Sequence, residues 1–132
     1  MGGGETLMET LNRDDFILSI SELAKSVYDF HERFSVPTVD TISNPDESLS
    51  KISERVPLLI EEIGEHAKAL NKGDLVESIL ELADVAYVVL GTLLILDNAG
   101  KNASEKVAKK NNLKTNDTHI RVESSGKLVK RS

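Results

Sequence analysis

The sequence of 132 residues contains no cysteine and no tryptophan, and only 4% of its residues are aromatic. The absence of cysteine excludes disulfides, thiolate metal ligands and cysteine nucleophiles. It also suits a reducing compartment, so we expect a cytoplasmic protein. Because aromatics are few, the core must be mainly aliphatic, and stacking on aromatic rings is a poor candidate for the main binding mode.

Long hydrophobic runs and targeting features are also missing. The longest uncharged apolar run, Val85 to Leu96, spans about 12 residues, whereas a membrane span needs roughly 20. We therefore expect a buried helix there and no membrane association. The first residues, Met1 to Gly4, lack the basic and apolar regions of a signal peptide and predict a flexible leader over residues 1–12.

Charge is unevenly distributed along a chain whose net charge is −6. From Lys109 onward, seven lysines and arginines face two acidic residues, a net charge of +5, and the rest of the chain carries −11. An acidic body disfavours a duplex nucleic-acid binder. It suits a site where carboxylates hold cations while the basic tail meets an anion, although a merely solvated tail would give the same pattern.

Hydrophobic periodicity predicts an all-α fold with four helices. The predicted helices cover residues 14–34, a segment that begins between Pro45 and Pro57 and ends near 70, residues 75–96 and residues 102–112. Gly73-Asp74 predicts a tight turn between two antiparallel helices. We assign residues 13–114 to one helical catalytic domain of the four-helix-bundle type and residues 115–132 to a basic tail with a small hairpin.

Acidic residues recur on the second predicted helix. Glu61, Glu62 and Glu65 are spaced so that all three can point into one region, one helical turn deep. Like charges at this spacing are destabilising unless a cation lies between them. A single acidic turn of this kind is most often a solvated face, so the pattern needs support from a second element.

The third predicted helix supplies that support. Glu81 and Asp84 are three residues apart in a helix whose only other charge is Glu77. A helix that is apolar nearly all round is usually buried, and a buried carboxylate must be paired, neutralised or bound to a metal. If the turn at Gly73 brings the two acidic groups together, the all-oxygen cluster selects Mg²⁺, or Mn²⁺ as a substitute.

The acidic pattern resembles a known family. Glu61-Glu62-Ile63-Gly64-Glu65, followed after fifteen residues by Glu81-Leu82-Ala83-Asp84, is similar to the EExxE…ExxD signature of the MazG-like all-α nucleoside triphosphate pyrophosphohydrolases. That superfamily includes dimeric dUTPases and phosphoribosyl-ATP pyrophosphohydrolases. The segments 30–34, 84–92 and 107–114 extend the resemblance, which spans roughly residues 30–130.

The resemblance implies Mg²⁺-dependent hydrolysis of nucleoside triphosphates to a monophosphate and pyrophosphate, for clearing damaged nucleotides or controlling pools. It implies a homo-oligomer, a dimer or a tetramer. The implied metal ligands are Glu61, Glu62, Glu65, Glu81 and Asp84. One glutamate of the second helix, Glu61, Glu62 or Glu65, would orient or deprotonate water. The implied phosphate contacts are Lys109, Lys110, Asn111 and Lys114.

Several alternatives remain open at this level. Glu77 could share the role of Glu81. The substrate could instead be dUTP or phosphoribosyl-ATP. Two rivals lie outside catalysis: a helical interaction module whose acids are a solvated face, and a cation-binding protein without hydrolysis.

Overall fold

The computed structural model describes residues 10–132, so most of the predicted leader lies outside the described residues. Four helices are present, and they confirm the all-α class. They are α1 (Arg13–Arg33), α2 (Pro45–Asn71), α3 (Leu75–Ile95) and α4 (Asn98–Asn112). Two short strands follow, β1 (His119–Arg121) and β2 (Leu128–Lys130).

Local chemistry sets the beginnings of the first two helices. The side chain of Asn12 accepts a hydrogen bond of 2.8 Å from the Asp15 amide and thereby caps α1. Helix α2 begins at Pro45, whose missing N–H costs nothing in the first turn. Pro57 lies inside α2 without ending it, so the earlier of the two predicted starts is the observed one.

The connection between α2 and α3 is the predicted tight turn. Gly73 adopts a left-handed conformation with φ of +74°, which a glycine tolerates without steric cost. The Asp74 side chain accepts a 3.1 Å hydrogen bond from the Glu77 amide and caps α3. The two helices therefore fold back as an antiparallel pair, called the α2–α3 hairpin below.

The predicted start of the fourth helix is wrong. It was expected near residue 102, but α4 begins at Asn98. Asp97, directly before the helix, has a positive φ of +56°. Gly100 permits close packing, because a Cβ at this position would overlap the backbone carbonyl of Leu93 in α3.

Helix α3 is the centre of the packing, since α1, α2 and α4 each contact it. No Cα atom of α1 lies within 8 Å of one in α2. The buried apolar residues are Val27, Val39, Ala69, Val88 and Ile95. Many larger apolar side chains stay exposed, among them Phe16 and Leu80. The predicted oligomer would cover such surface and remains a prediction.

By length and composition alone, α3 could cross a membrane. The central helix of a soluble protein meets the same criteria, and α3 is the helix on which the other three pack. Its acidic residues Glu77, Glu81 and Asp84 all lie in the half that follows the Gly73 turn.

The C-terminal hairpin was predicted and is observed. Strands β1 and β2 pair antiparallel, with Ile120 opposite Val129, and Gly126 lies between them at φ of +72°. No Cα atom of either strand lies within 8 Å of one in the four helices. The hairpin therefore has few contacts with the helical body. Because a two-stranded hairpin of this size has little stability alone, it is only weakly held.

Candidate active site

The α2–α3 hairpin brings together three of the five predicted acidic ligands. Carboxylate oxygens of Glu62, Glu81 and Asp84 all lie within 4.8 Å of one another. Glu62 and Glu81 are half-buried, and Asp84 is exposed. The antiparallel register of the two helices creates this carboxylate group, as the sequence pattern predicted.

The neighbouring acidic side chains make it unfavourable for Glu81 to be ionised in the absence of a cation. Partial desolvation raises the pKa of the Glu81 carboxyl above its ordinary value. A hydrogen bond to Glu77 and the charges of Asp84, Glu62 and Glu77 raise it further. No basic side chain makes an ion pair with Glu62, Glu81 or Asp84 within 4 Å in residues 10–132. A bound cation would relieve this repulsion directly.

A cleft adjoins the carboxylate group on the side of the Gly73 turn. It has a volume of about 210 Å³ and shares Glu81 with that group. Glu65 and Glu77 also face it, so Glu77 does join the acidic surroundings of Glu81. The complete lining is Glu65, Lys68, Ala69, Lys72, Asp74, Glu77 and Glu81.

Two lysines of this cleft were missed by the sequence analysis. Lys68 follows Glu65 by three residues on one face of α2, and Lys72, seven residues after Glu65, is the C-cap residue directly after that helix. That spacing could have identified Lys68. Neither lysine has a carboxylate oxygen within 4 Å anywhere in the described chain. They place positive charge beside the acids within the same protomer.

Glu61 lies apart from the other predicted ligands. It is exposed, contributes nothing to the carboxylate group and does not line the cleft. The reason is helical geometry, because neighbouring residues project about 100° apart and Glu62 occupies the direction toward α3. The structure therefore brings together Glu62, Glu81 and Asp84, with Glu65 on the adjoining cleft.

The predicted phosphate contacts lie elsewhere in the single chain. Lys109, Lys110 and Asn111 are exposed in the last turn of α4, whose Cα atoms all stay more than 8 Å from those of α2. The side-chain amide of Asn111 donates to the Val107 carbonyl at 2.9 Å. Lys114 lines a separate groove at the hairpin. Within residues 10–132, Lys109 and Lys110 make no ion pair within 4 Å with the acids, and neither lines the cleft.

A histidine braces the two helices beside the carboxylate group. Nδ1 of His66 lies 2.6 Å from the backbone carbonyl of Ser78 and joins α2 to α3 by a hydrogen bond. His66 is half-buried. His66 therefore has a structural contact that fixes the register of Glu62 against Glu81.

The far end of α3 holds a second buried polar cluster. Arg55 of α2 donates from Nε to the Thr92 hydroxyl at 3.1 Å and from its terminal nitrogen to the Val88 carbonyl at 3.2 Å. His31 of α1 is buried against Gly91. Burial, and then the positive charge of Arg55, lowers the pKa of His31. This cluster ties α1 and α2 to α3.

The ligand chemistry of the carboxylate group fits a hard divalent cation. Its three donors are carboxylates, and no histidine joins them in the described chain. Oxygen ligands of this kind suit Mg²⁺ or Mn²⁺ and disfavour zinc, which prefers nitrogen or sulfur. Three protein ligands would leave coordination positions for water and substrate phosphates.

The segment that carries the carboxylate group matches a known family. The family described as phosphoribosyl-ATP pyrophosphohydrolase matches residues 27–111, well over half of the chain. The match includes all five predicted acidic ligands and ends before Lys114 and the hairpin. No curated protein and no solved structure matches significantly. The chain belongs to the phosphoribosyl-ATP pyrophosphohydrolase family, within the MazG-like superfamily of nucleotide pyrophosphohydrolases.

Proposed function

We propose that the protein hydrolyses nucleoside triphosphates to the monophosphate and pyrophosphate, using Mg²⁺ held by Glu62, Glu81 and Asp84. The observation that carries the proposal is the convergence of these three carboxylates inside the segment that matches the family. Mn²⁺ would substitute, because it accepts the same oxygen ligands. When bound, the cation would polarise the phosphate and lower the pKa of a coordinated water.

The remaining acids of the cleft have a different part. Glu65 lies on the cleft beside Glu81 without belonging to the three-carboxylate group. We assign it the task of orienting the attacking water and accepting its proton, since a carboxylate within hydrogen-bond reach can do both. Glu77 lines the cleft with Glu81, and we assign it the role of positioning that carboxylate. Glu61 is left without a role in this scheme.

Positive charge for the leaving group is available in the same cleft. Attack of water on the α phosphorus leaves the β and γ phosphates as pyrophosphate, on which negative charge develops. Lys68 and Lys72 face the cleft, have no ion-pair partner within residues 10–132, and would neutralise this charge. They would have this role in addition to the basic segment around Lys109.

Phosphoribosyl-ATP is the second candidate substrate, and the family match favours it. It carries the same triphosphate chain, so the acids and lysines would act in the same way. dUTP is a further member of the substrate panel. The carboxylate group does not discriminate among these nucleotides, because it faces phosphates rather than bases.

The test is release of pyrophosphate from a panel of canonical and modified nucleoside triphosphates, dUTP and phosphoribosyl-ATP, with Mg²⁺ and with EDTA. The Glu62→Gln/Asp84→Asn variant should lose about 100-fold or more in rate, since loss of ligands costs at least as much as loss of their supporting hydrogen bonds. The matched control is Glu54→Gln/Asp29→Asn, two exposed acids away from the cleft, which should keep the parent rate.

The alternatives give different results in the same experiment. Absence of pyrophosphate release from every nucleotide, together with a melting temperature that Mg²⁺ raises, would leave a cation-binding protein without hydrolysis. Absence of both effects would leave a helical interaction module. Equal rates in the ligand variant and the control would remove the three carboxylates from the mechanism.

We further propose that a second copy of the chain completes the site with its basic segment. The exposed apolar residues of α3 and the weakly held hairpin both support an oligomer. Mixing the inactive Glu62→Gln/Asp84→Asn variant with a Lys109→Gln/Lys114→Gln variant would test this. The mixture should recover up to roughly a quarter of the parent rate, because mixed dimers make up half of all dimers and each has one of its two sites intact. No recovery would place the basic segment outside the site.

A further inference from the structure

A second groove lies at the C-terminal hairpin, beyond the segment that matches the family. It has a volume of about 350 Å³. Three of its lining residues are basic or can become so, and none is acidic. The lining residues are Lys114, Thr115, Asn116, His119, Arg121 and Leu128. We call it the hairpin groove. Among the grooves described here, it has the largest number of lysine, arginine and histidine side chains in its lining.

Hydrogen bonds between the loop 115–118 and the hairpin shape the groove. The Thr115 amide donates to the Thr118 hydroxyl at 3.0 Å, and that hydroxyl lies 2.7 Å from Nδ1 of His119. Arg131 donates from its amide to the Thr118 carbonyl at 2.9 Å and from Nε to the Asn116 carbonyl at 2.7 Å. The loop and the His119 ring are therefore held in place before any ligand arrives.

The charges of the hairpin groove are uncompensated. Lys114 and Arg121 have no carboxylate oxygen within 4 Å in the described part of the chain. Lys114 is half-buried, so part of its hydration has already been removed. Two like charges that share a preformed groove are favourable only when an anion lies between them.

We infer that the hairpin groove binds a pyrophosphate group, either the β and γ phosphates of the nucleotide or the released product. The Arg121 guanidinium can donate two parallel hydrogen bonds to phosphate oxygens, and Lys114 supplies a compact point charge. Thr115 and Asn116 add neutral polar groups to the same surface. The identity of the anion rests on the proposed function, whereas the existence of the anion site rests on the groove alone.

Binding of inorganic pyrophosphate in EDTA tests the inference without catalysis. Isothermal titration gives the Kd, and amide shifts in an ¹⁵N spectrum show whether residues 114–121 respond. Lys114→Gln/Arg121→Gln should weaken binding at least about tenfold, because two charge-assisted contacts are lost. Arg121→Lys, which keeps the charge but loses the planar fork, should fall between this variant and the parent.

The control is Lys127→Gln/Lys130→Gln, which removes the same charge from the same hairpin but from outside the groove. It should retain the parent Kd within about twofold. Equal weakening in both variants would mean general attraction to a basic tail, and an unchanged Kd in Lys114→Gln/Arg121→Gln would overturn the inference. Tighter binding of an oligonucleotide than of pyrophosphate would also overturn it in favour of nucleic acid.

The acid variant separates this inference from the proposed function. Glu62→Gln/Asp84→Asn should bind metal-free pyrophosphate at the hairpin groove like the parent, even though it fails in hydrolysis. A protein that releases no pyrophosphate from any nucleotide but binds it at residues 114–121 would keep the groove and lose the proposed reaction. Hydrolysis without a response of residues 114–121 to pyrophosphate would support the proposed reaction and overturn the inference about the hairpin groove.

Discussion

The two ends of the α2–α3 hairpin differ in how closely they are packed. At the end far from the Gly73 turn, His31, Arg55 and Gly91 meet on α3 with little free space. At the acidic end, the large apolar residues Ile63 and Leu80 are 48% and 56% exposed beside the carboxylate group. The packed end ties α1 and α2 to α3, whereas the acidic end leaves apolar and acidic side chains exposed.

Gly100→Ala tests the packed end and should have the largest effect on stability. The added Cβ would overlap the Leu93 carbonyl, a backbone atom that cannot rotate away. We expect the free energy of unfolding to fall by about 3 kcal/mol, the upper part of the usual range for overpacking. Urea denaturation measures it. An equally stable variant would mean that α4 crosses α3 at a greater distance than the structure shows.

His31 makes the packed end sensitive to pH. Burial and the charge of Arg55 lower its pKa in the folded state, so below about pH 6.5 the unfolded chain binds more protons than the folded one. Stability should be complete above that pH and fall with acidification, by at most about 1.4 kcal/mol per pH unit. His31→Gln should flatten this part of the profile of unfolding free energy against pH.

The sequence predicted the acidic end better than the packed end. Spacing within α2 and α3, together with the turn at Gly73, was sufficient to bring Glu62 to Glu81, since both depend on local helical geometry. Glu61, predicted as a further ligand, lies outside the group of Glu62, Glu81 and Asp84 in the single chain. Lys68 lies on the same face of α2 as Glu65 and was overlooked, although the same periodicity would have identified it; Lys72, also overlooked, lies just beyond the end of α2.

The packed end could not be predicted because its contacts join residues far apart in the chain. Arg55 and Thr92 are separated by 37 positions, and no local pattern relates them. The role of Gly100 was also unpredictable from local sequence, since it depends on the Leu93 carbonyl of another helix. A glycine after an apolar helix predicts a terminator when read locally, and the tertiary contact made it part of the next helix instead.

Gly64→Ala tests the acidic end and should have the smallest effect, with the opposite sign to Gly100→Ala. A Cβ added at Gly64 meets nothing within 4 Å, and the residue is exposed in the middle of α2. Replacing an exposed helical glycine by alanine should raise the free energy of unfolding by about 0.5–1 kcal/mol. Urea denaturation at low and high protein concentration would show whether this face is free. A gain at both concentrations means that no second copy packs against Gly64. A gain that disappears at high concentration means that the partner covers the acidic end, and that the space beside the carboxylate group belongs to the assembled site.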